Sequence, residues 1–577
     1  MNTPFTALKN FLPTTKEELR LRGLDRPDII LVSGDTYIDS PFIGVSVIGR
    51  WLEASGFSVA IIAQPAIDSD IDIARLGEPK LFWGVTAGSL DSMVANYTAL
   101  QKRRKSDDLT PGGMNTLRPD RATLVYSNLI KRYFKKSVPI VLGGVEASLR
   151  RISHYDYWSD QLKRSLLLDA KADALIYGMG ERAVLQVAHN LKSKQQHPFQ
   201  EVKGLCYLGS AEEAQAKEYL QLPSHQEVLK DKLLMKKMFE TFYKNQDPLN
   251  AKGLYQLYEG RALIHNSPAA PLSPQELDHL YELPYTRELH PYYAKKGSVV
   301  ANETIKFSIT SHRGCYGECN YCAIAIHQGR HIISRSPQSI VREGKLLSER
   351  SDFKGYLLDV GGPTANMYGF DCKKKQKSGS CQERRCLYPK VCSELPINHA
   401  PYLNLLRSLA ALPKVKKVFV ASGIRIDLIA SDLQLGQQFL RGLIKDHVSG
   451  QIKIAPEHIA PATLKAMGRD ELGLGAEAFL KLKEEFSAIN KEFKKKQFLT
   501  YYFIVCHPGE SEKELHALQE FFKKHLHALP EQIQIFTPTP MTYSTLFYYT
   551  ELDSNAHPLS VSKSLKEKRR RKELLSF

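Results

Sequence analysis

The sequence predicts an α/β protein in which an N-terminal doubly wound parallel sheet is followed by a partial (β/α)6 barrel. Short β-branched runs alternate with helical patterns from about residue 28, and the same alternation starts again near residue 306. Strands separated by helices form parallel sheets with helices on their faces. A chain of 577 residues is also too long for a single hydrophobic core. We therefore expect two α/β domains.

The first alternation predicts a Rossmann-like domain over residues 1–210. A helix is expected at Gly44–Ala54, and the predicted strands are Ile29–Ser33, Phe57–Ala63, Leu81–Val85, Ile140–Leu142 and Ala174–Tyr177. Glycine follows three of these strands, at Gly34, Gly143 and Gly178. Ligands of such sheets bind beyond the carboxyl ends of the strands. Glycine there either turns the chain tightly or lets a ligand approach the backbone.

Residues 211–298 break this pattern. A basic amphipathic stretch, Gln226–Lys244, precedes segments punctuated by proline, such as Pro268–Pro274. The segment is too rich in leucine and tyrosine to be disordered. We expect it to be a helical connector between two domains.

The second alternation predicts the barrel, within a domain that covers residues 299–545. Its strands are expected at Phe307–Thr310, Gly355–Val360, Val418–Ala421, Ile452–Ile454, Leu499–Val505 and Gln532–Phe536. Its helices are expected at Gln338–Glu349, Pro401–Leu412, Leu433–Lys445, Ala476–Phe493 and Glu512–Leu526. Six βα-type units are short of the eight that close a full barrel. A basic tail, residues 546–577, completes the chain.

Three cysteines lie in one short loop after the first barrel strand. Cys315, Cys319 and Cys322 have the spacing CxxxCxxC. Thiolates are the ligands that iron–sulfur clusters prefer, and three of them hold three irons of a cubane. The fourth iron is then left open to another ligand. A zinc knuckle or unrelated thiols are the alternatives, but zinc sites usually pair two CxxC halves a dozen or more residues apart.

This loop resembles the cluster loop of radical S-adenosylmethionine (SAM) enzymes, in which the open iron chelates SAM. The resemblance implies a [4Fe–4S] cluster and a cofactor site at the ends of the next two strands. Gly361 and Gly362 stand where these enzymes expose backbone to the methionine amino group, although Pro363 replaces their usual glutamate. After the third strand, Ser422 and Arg425 are expected to hold the ribose and the carboxylate of SAM.

Over its whole length the chain resembles the YgiQ family of radical SAM proteins. The matching passages are GDTYIDSPFIG from Gly34, the cysteine loop, GGPTANMYG from Gly361 and KIAPEH from Lys453. The resemblance implies reductive cleavage of SAM and hydrogen abstraction from a substrate that it does not identify. It also implies a one-electron donor such as flavodoxin or ferredoxin. No residue is predicted to be a substrate-specific catalyst.

The N-terminal domain resembles the cobalamin-binding domains that precede many radical SAM cores. In those domains an Asp-x-His-x-x-Gly motif supplies the axial ligand of cobalt. Here the corresponding residues run from Asp39 to Gly44, and Pro41 stands in the place of the histidine. An amide nitrogen cannot ligate cobalt. We therefore expect that cobalamin is not bound and that the fold serves another purpose, the alternative being cobalamin bound without a protein ligand.

A second cysteine group follows the second barrel strand, in an insertion at about residues 366–398. It comprises Cys372, Cys381, Cys386 and Cys392. Four thiolates suffice for a closed tetrahedral zinc site or a second cubane. The alternative is a set of reactive thiols on an exposed loop. We predict a metal site and leave zinc and iron–sulfur open.

Cysteine usage and hydropathy indicate the cytoplasm. Seven of the nine cysteines lie between Cys315 and Cys392, which is typical of metal ligands and not of a disulfide framework. No apolar run approaches the ~20 residues needed to span a bilayer. Residues 1–22 lack the charged start and apolar core of a secretory signal.

The net charge is +17, from 79 basic and 62 acidic residues. Much of the surplus is local, as in the run from Lys563 to Lys572. A basic tail attracts nucleic acid, so an RNA-binding or RNA-modifying protein is one alternative function. A solvated tail is the simpler interpretation. A non-enzymatic iron–sulfur redox sensor is the other alternative.

Overall fold

The computed structural model describes residues 8–469, 474–526, 530 and 532–575. The chain forms two compact units, residues 1–306 and residues 307–577. No helix in the described part of the chain is long and apolar enough to cross a membrane.

The first unit contains a nine-stranded sheet with the order β2-β1-β3-β4-β7-β8-β11-β10-β9. The strands of the unit, including the separate hairpin β5-β6, are β1 (Ile29–Ser33), β2 (Val59–Ala63), β3 (Phe82–Thr86), β4 (Ile140–Leu142), β5 (His154–Asp156), β6 (Gln161–Lys163), β7 (Ala174–Ile176), β8 (Leu205–Gly209), β9 (Leu220–Leu222), β10 (Leu254–Tyr258) and β11 (Arg261–His265). The five strands from β2 to β7 are mutually parallel, and β8 and β11 add antiparallel pairs. All ten residues of β1 and β2 are buried, which is typical of strands covered on both faces.

Helices lie between these strands as the alternation predicts. They are Lys16–Leu21, Gly44–Ala54, Ser92–Asn96, Ala122–Tyr133, Gly144–Leu149, Leu166–Asp169, Glu181–Lys192, Ala211–Ala216, His225–Lys230, Lys232–Lys244, Pro274–Glu282, Pro291–Ala294 and Val300–Ile305. The doubly wound N-terminal sheet is confirmed.

The prediction that residues 211–298 form a helical connector is wrong. Strands β9, β10 and β11 come from this segment and extend the sheet of the first unit. The amphipathic helix Lys232–Lys244 is present, and it buries Met238 and Phe242. Leu254–Tyr258 and Arg261–His265 form an antiparallel hairpin across Glu259 and Gly260. The prediction rested on the amphipathic stretch and the proline-punctuated segments, which lie on either side of this hairpin. The segment therefore belongs to the first unit and does not link two domains.

The second unit contains six successive strand positions that pair in parallel. Its strands are β12 (Ser308–Thr310), β13 (His312–Arg313), β14 (Ile333–Ser334), β15 (Tyr356–Leu357), β16 (Asp359–Gly361), β17 (Lys417–Val418), β18 (Gln451–Glu457), β19 (Phe498–Val505) and β20 (Gln532–Ile535). β13 and β14 form a small antiparallel pair outside this series. The second position pairs through β16 with β12 and through β15 with β17. A bridge between Ile424 and Ile454 connects the third and fourth positions, and β18, β19 and β20 follow in order. This order is that of the predicted partial barrel.

Helices follow these strands and cover the sheet. They are Ile324–His327, Pro337–Ser348, Lys373–Ser378, Ala400–Ala410, Ile426–Ser431, Gly436–Gly442, Pro461–Ala466, Ala476–Glu492, Glu512–His525, Tyr543–Thr550 and Leu565–Glu573, with one π-helical turn at Leu443–His447. Each of the five predicted barrel helices is present within a few residues of its expected ends.

The basic C-terminal segment is partly folded into the second unit. Its helix Leu565–Glu573 buries Lys568 and Arg571. Arg571 donates to the carbonyl of Ser511 at 3.0 Å, and its guanidinium lies 3.3 Å from the Glu510 carboxylate. Lys568 donates to the hydroxyl of Tyr548 at 2.9 Å. The expectation of a wholly solvated tail is therefore wrong for these two cations, whose charge is used inside the protein.

Candidate metal centre

The cysteine loop lies directly after the first barrel strand. It begins beyond β13, whose antiparallel pairing with β14 fixes the start of the loop. Gly314 has φ +83°, and a side chain there would place its Cβ 1.8 Å from the carbonyl oxygen of His331. Only glycine adopts this conformation and this close approach without strain. The close contact between the backbones of Gly314 and His331 therefore sets where the cysteine loop begins.

Two of the three thiols have different neighbours. The backbone N–H of Gly317 donates to Cys315 Sγ at 3.3 Å, and Thr364 Oγ1 lies 3.7 Å from the same sulfur. Cys319 Sγ lies 3.5 Å from an N–H of Arg425 and 3.7 Å from one of Arg469. Cys319 is thus the thiol that faces two guanidinium groups.

Burial affects the pKa values of the other two thiols, Cys315 and Cys322. It raises the pKa of Cys315 and raises the pKa of Cys322 to about 12. Metal binding to these residues therefore releases protons, since a thiolate is the ligand. Three sulfur donors on one loop, with cations against one of them, fit a negatively charged iron–sulfur cluster.

A hydrogen-bonded, partly buried triad adjoins the loop at Tyr321. The Tyr321 hydroxyl donates to Glu457 at 2.8 Å and accepts a hydrogen bond from Arg469 at 2.9 Å. Glu457 ends β18 in the left-handed region, with φ +66°. Burial raises the pKa of Glu457. Glu457 was visible in the motif Ala-Pro-Glu-His, whereas no sequence signal marked Arg469.

The two predicted cofactor glycines are required by packing. A Cβ on Gly361 would lie 2.5 Å from Ser422 Oγ, and one on Gly362 would lie 2.6 Å from the ring of His312. The carbonyl of Gly361 accepts hydrogen bonds from the backbone N–H and the hydroxyl of Ser311. The backbone at both positions therefore runs close to its neighbours. Their contact with SAM stays a prediction.

Ser422 and Arg425 have partners that the sequence did not predict. The Ser422 hydroxyl donates to Asp359 at 2.5 Å, which ties the third strand position to the second. Arg425 is buried and pairs with Asp427, while its guanidinium also faces Cys319. The Arg425 guanidinium thus already contacts the Asp427 carboxylate and the cysteine loop. Roles for Ser422 and Arg425 in SAM binding stay predictions.

Asn366 was not singled out from the sequence, although it lies in the passage GGPTANMYG. Its side-chain amide donates to the carbonyl of Arg425 at 2.9 Å, and its side-chain carbonyl accepts the backbone N–H of Arg425 at the same distance. His399 lies 3.3 Å from Asn366 and is held by Asp432 at 2.7 Å. Asn366 therefore joins the loops that follow the second and third strand positions.

The histidines at the later strand ends, His458 and His507, are buried and have partners within the second unit. His458 lies 3.3 Å from Glu510, and His507 lies 2.6 Å from Ser544 Oγ. Burial lowers the pKa of His507 to about 3, so its imidazole is neutral. Both side chains are fully enclosed and engaged within the second unit.

In the first unit, side chains of the protein fill the carboxyl edge of the sheet. Asp35, just beyond β1, pairs with Arg118 at 2.7 Å, and Arg118 pairs with Asp107 at 3.0 Å. The Arg118 side chain is fully buried and also donates to the carbonyl of Ala87 at 2.7 Å. Gly88 has φ +106°, and a Cβ there would lie 2.1 Å from the Asp35 carboxylate. The glycines at this edge thus make room for an internal ion pair.

The residues of the cobalamin-type motif are likewise engaged within the first unit. Asp39 is buried and pairs with Arg50 at 2.6 Å. Its carboxylate also accepts the backbone N–H of Thr286 at 2.9 Å. Pro41 is buried, and Gly44 begins the helix Gly44–Ala54. Asp39 therefore anchors residues 286–287 to this helix.

The second cysteine group lines one cavity, although its sulfurs do not stand in metal-ligating positions. Cys372, Cys381, Cys386 and Cys392 all line one cavity, of about 60 Å³. Burial raises the pKa of Cys386 to about 11. The thiols are 20 residues apart in sequence at most, but they face one space.

A family model described as Radical SAM N-terminal matches residues 11–308. A UPF0313 protein of Fusobacterium nucleatum is 52% identical over 568 residues, covering 98% of both chains. The chain belongs to the UPF0313 family. A UPF0313 protein of Thermotoga maritima is 47% identical over 571 residues, again covering 98% of each chain. Membership of this YgiQ-type family is thereby confirmed over essentially the whole length.

Solved structures show the same fold at low identity. The radical S-adenosylmethionine methyltransferase TsrM of Kitasatospora setae, with tryptophan and a SAM analogue bound, has a TM-score of 0.50 at 16% identity. The match covers 89% of this chain and 75% of TsrM. A second TsrM structure, with cobalamin and a [4Fe–4S] cluster bound, matches equally well and covers 77% of that chain. This UPF0313 protein thus shares its fold with TsrM over most of its length.

Proposed function

We propose that this UPF0313 protein is a radical SAM enzyme whose [4Fe–4S] cluster is held by Cys315, Cys319 and Cys322. When bound and reduced by one electron, such a cluster breaks the C5′–S bond of SAM, giving methionine and a 5′-deoxyadenosyl radical that abstracts hydrogen from the substrate. The observation that carries the proposal is the position of the three thiols, on one loop beyond the first strand of a six-strand parallel half-barrel. Active sites of parallel barrels lie at this edge.

The residues around the loop have distinct tasks in this proposal. Arg425 and Arg469 place positive charge against Cys319 and offset the charge of a thiolate-ligated cluster. Tyr321 and Glu457 fix the end of the loop through a partly buried hydrogen bond. Gly361, Gly362 and Ser422 line the neighbouring strand ends, where SAM is proposed to bind. The electron donor is proposed to be a flavodoxin or ferredoxin in the cytoplasm.

The test is an anaerobic reconstitution with iron and sulfide, followed by reduction and addition of SAM. Wild-type protein is expected to form 5′-deoxyadenosine, and the EPR spectrum of the reduced cluster is expected to change when SAM is added. The variant C315A/C319A/C322A is expected to lose both signals. Cys206→Ala is a matched control, because Cys206 is a buried thiol in β8 and adjoins none of these residues.

Two results would contradict the proposal in different ways. A triple variant that kept the SAM-responsive spectrum would place the cluster elsewhere in the chain. A wild-type protein with a full cluster but no SAM response and no 5′-deoxyadenosine would be an iron–sulfur redox sensor instead.

We further propose that the first unit does not bind cobalamin. Pro41 offers no nitrogen to cobalt, and Asp39 is held by Arg50 and the backbone of Thr286. Protein from cells grown with cobalamin, purified anaerobically, is expected to carry no stoichiometric corrinoid absorbance. A corrinoid held at one per chain would overturn this proposal and leave the radical SAM assignment intact.

A further inference from the structure

The insertion that carries the second cysteine group has little structure of its own. Between Met367 and Ala400, the only regular element is the six-residue helix Lys373–Ser378. Segments of this size rarely fold without disulfides, metals or a partner surface, because they bury too little apolar area. All four of its cysteines are unpaired in the structure. The order of the insertion therefore depends on the surface it packs against and on any ligand that it binds.

The four thiols surround one space. Cys372, Cys381, Cys386 and Cys392 line the cavity described above, and the backbone N–H of Cys392 donates to the carbonyl of Cys386 at 2.8 Å. Four basic side chains and one acidic side chain also line it: Lys374, Lys375, Arg384, Arg385 and Glu394. A site of four thiolates is anionic with either zinc or a cubane. A surplus of cations around the sulfurs offsets that charge.

One of these cations is placed inside the protein. Lys375 is only 3% exposed, and its ammonium group donates to Cys386 Sγ at 3.6 Å and to the carbonyl of Arg330 at 2.6 Å. It also lies 4.8 Å from the centre of the Tyr316 ring. A buried ammonium group is costly unless it has anionic or polar partners. Lys375 thus places a buried positive charge against the sulfur of Cys386.

We propose that Cys372, Cys381, Cys386 and Cys392 form a second, closed metal site that takes a thiophilic metal, either zinc or an iron–sulfur cluster. Among the described residues, no three His, Cys, Asp or Glu side chains stand in metal-ligating positions, and these four sulfurs line the cavity at separate points. Metal binding therefore moves the four sulfurs closer together and orders the insertion, in the way that metal binding orders small domains.

The proposed site is joined to the cysteine loop of the first cluster. Lys375 lies 3.9 Å from the carboxylate of Glu318, which stands between Cys315 and Cys319. Arg385 donates to the carbonyl of Glu318 at 2.9 Å and to the side chain of Asn320 at 2.7 Å. An apolar cluster shared by both segments contains Tyr316, Phe370, Cys372, Leu387 and Leu395. The second metal would thus hold Lys375 and Arg385 in place, and these two cations contact the loop of Cys315, Cys319 and Cys322.

The experiment uses the full chain with the first cysteines removed, so that its result does not depend on the proposed function. The variant C315A/C319A/C322A is purified anaerobically, and its zinc, iron and sulfide are measured. One zinc per chain, or about four irons with matching sulfide, is expected, and the two results distinguish the two metals. Replacing the four cysteines of the insertion with serine in the same background is expected to remove that metal.

Alkylation of the native protein provides a readout at each residue. Iodoacetamide is expected to modify the four cysteines of the insertion only after a chelator is added, as mass spectrometry of peptides will show. Cys206 and Cys506 are the internal controls, because burial alone protects both of them with or without the chelator. A triple variant with neither zinc nor iron, and with all four thiols alkylated at once, would overturn the proposal. Disulfide-linked peptides among the four would overturn it as well.

Discussion

The two units each bury an arginine–aspartate pair at the carboxyl edge of a parallel sheet, yet the two pairs have different surroundings. In the first unit, Arg118 lies between Asp35 and Asp107, and carboxylates and a carbonyl occupy its guanidinium. In the second unit, Arg425 pairs with Asp427 and also faces the sulfur of Cys319. Arg118 is enclosed by partners within its own unit, whereas Arg425 places part of its positive charge beside the thiol of Cys319.

The carboxyl edge of a parallel sheet can bind a ligand, but its presence alone does not show that a ligand binds there. Ligands collect there because strand ends and loops converge. At the edge of the first unit, Arg118 is paired with two carboxylates and a carbonyl. At the edge of the second, three cysteines lie on one loop, and two guanidinium groups face the sulfur of one of them. Glycine beyond a strand occurs in both units, so glycine alone does not distinguish them.

The largest expected effect on stability is that of Arg118→Leu. It leaves Asp35 and Asp107 buried without a cation, which costs about 3–5 kcal/mol of unfolding free energy. All three tryptophans, Trp51, Trp83 and Trp158, lie in residues 1–306. Tryptophan fluorescence during urea unfolding therefore reports on the first unit.

The matched control is Arg103→Leu. Arg103 pairs with Asp120 at 3.5 Å, but both side chains are more than 40% exposed. Its loss is expected to cost below about 1 kcal/mol. Equal effects of the two substitutions would mean that the buried pair does not close this edge.

Arg425→Leu is expected to destabilise the second unit by a similar amount, about 3–5 kcal/mol, because Asp427 is left buried. It also removes the cation beside Cys319, so iron and sulfide content after reconstitution is expected to fall. Hydrogen exchange over residues 426–431, together with metal analysis, checks both effects. Arg441→Leu, at an exposed pair with Glu492, should alter neither. Full iron content in the Arg425 variant would restrict Arg425 to a structural role.

Two adjacent glycines test how tightly the edge of the first unit is packed. Gly144 has φ +82°, and a Cβ there would lie 2.3 Å from Thr86 Oγ1. Gly143 has extended backbone and nothing within 4 Å of the same position. Gly144→Ala is expected to cost about 1–3 kcal/mol, and Gly143→Ala is expected to be nearly neutral. Urea unfolding followed by tryptophan fluorescence compares the free energies of unfolding of the two variants. A Gly144→Ala variant as stable as the wild type would show that this edge can accommodate an extra methyl group.

Ser422→Ala is expected to have the smallest effect. The loss of its hydrogen bond to Asp359 costs about 0.5–1.5 kcal/mol. If Ser422 also holds the ribose of SAM, KM for SAM rises while the rate at saturating SAM changes little. Steady-state formation of 5′-deoxyadenosine separates these quantities. An unchanged KM would leave Ser422 as a link between strands only.

The sequence by itself determined the local features of this protein. The alternation of apolar runs located all six barrel strands, because the hydrophobic periodicity of a strand or a helix can be recognised within a short stretch of sequence. The spacing of Cys315, Cys319 and Cys322 indicated a cluster, since ligands on one loop need no distant partner. Pro41 shows that no histidine stands at this position, and the lone pair of its amide nitrogen is delocalised into the carbonyl. The absence of cobalamin stays a prediction.

The tertiary structure alone decided which distant residues meet. Arg469 reaches Cys319 and Tyr321 across 150 and 148 residues of sequence, and Arg118 reaches Asp35 across 83. The hairpin of β10 and β11 became part of the first sheet only because β8 offers it an edge. Ion pairs of this kind depend on register and packing between elements, and neither is encoded in local periodicity. For that reason the same edge motif, glycine beyond a parallel strand, ends in an internal ion pair in one unit and beside three thiols in the other.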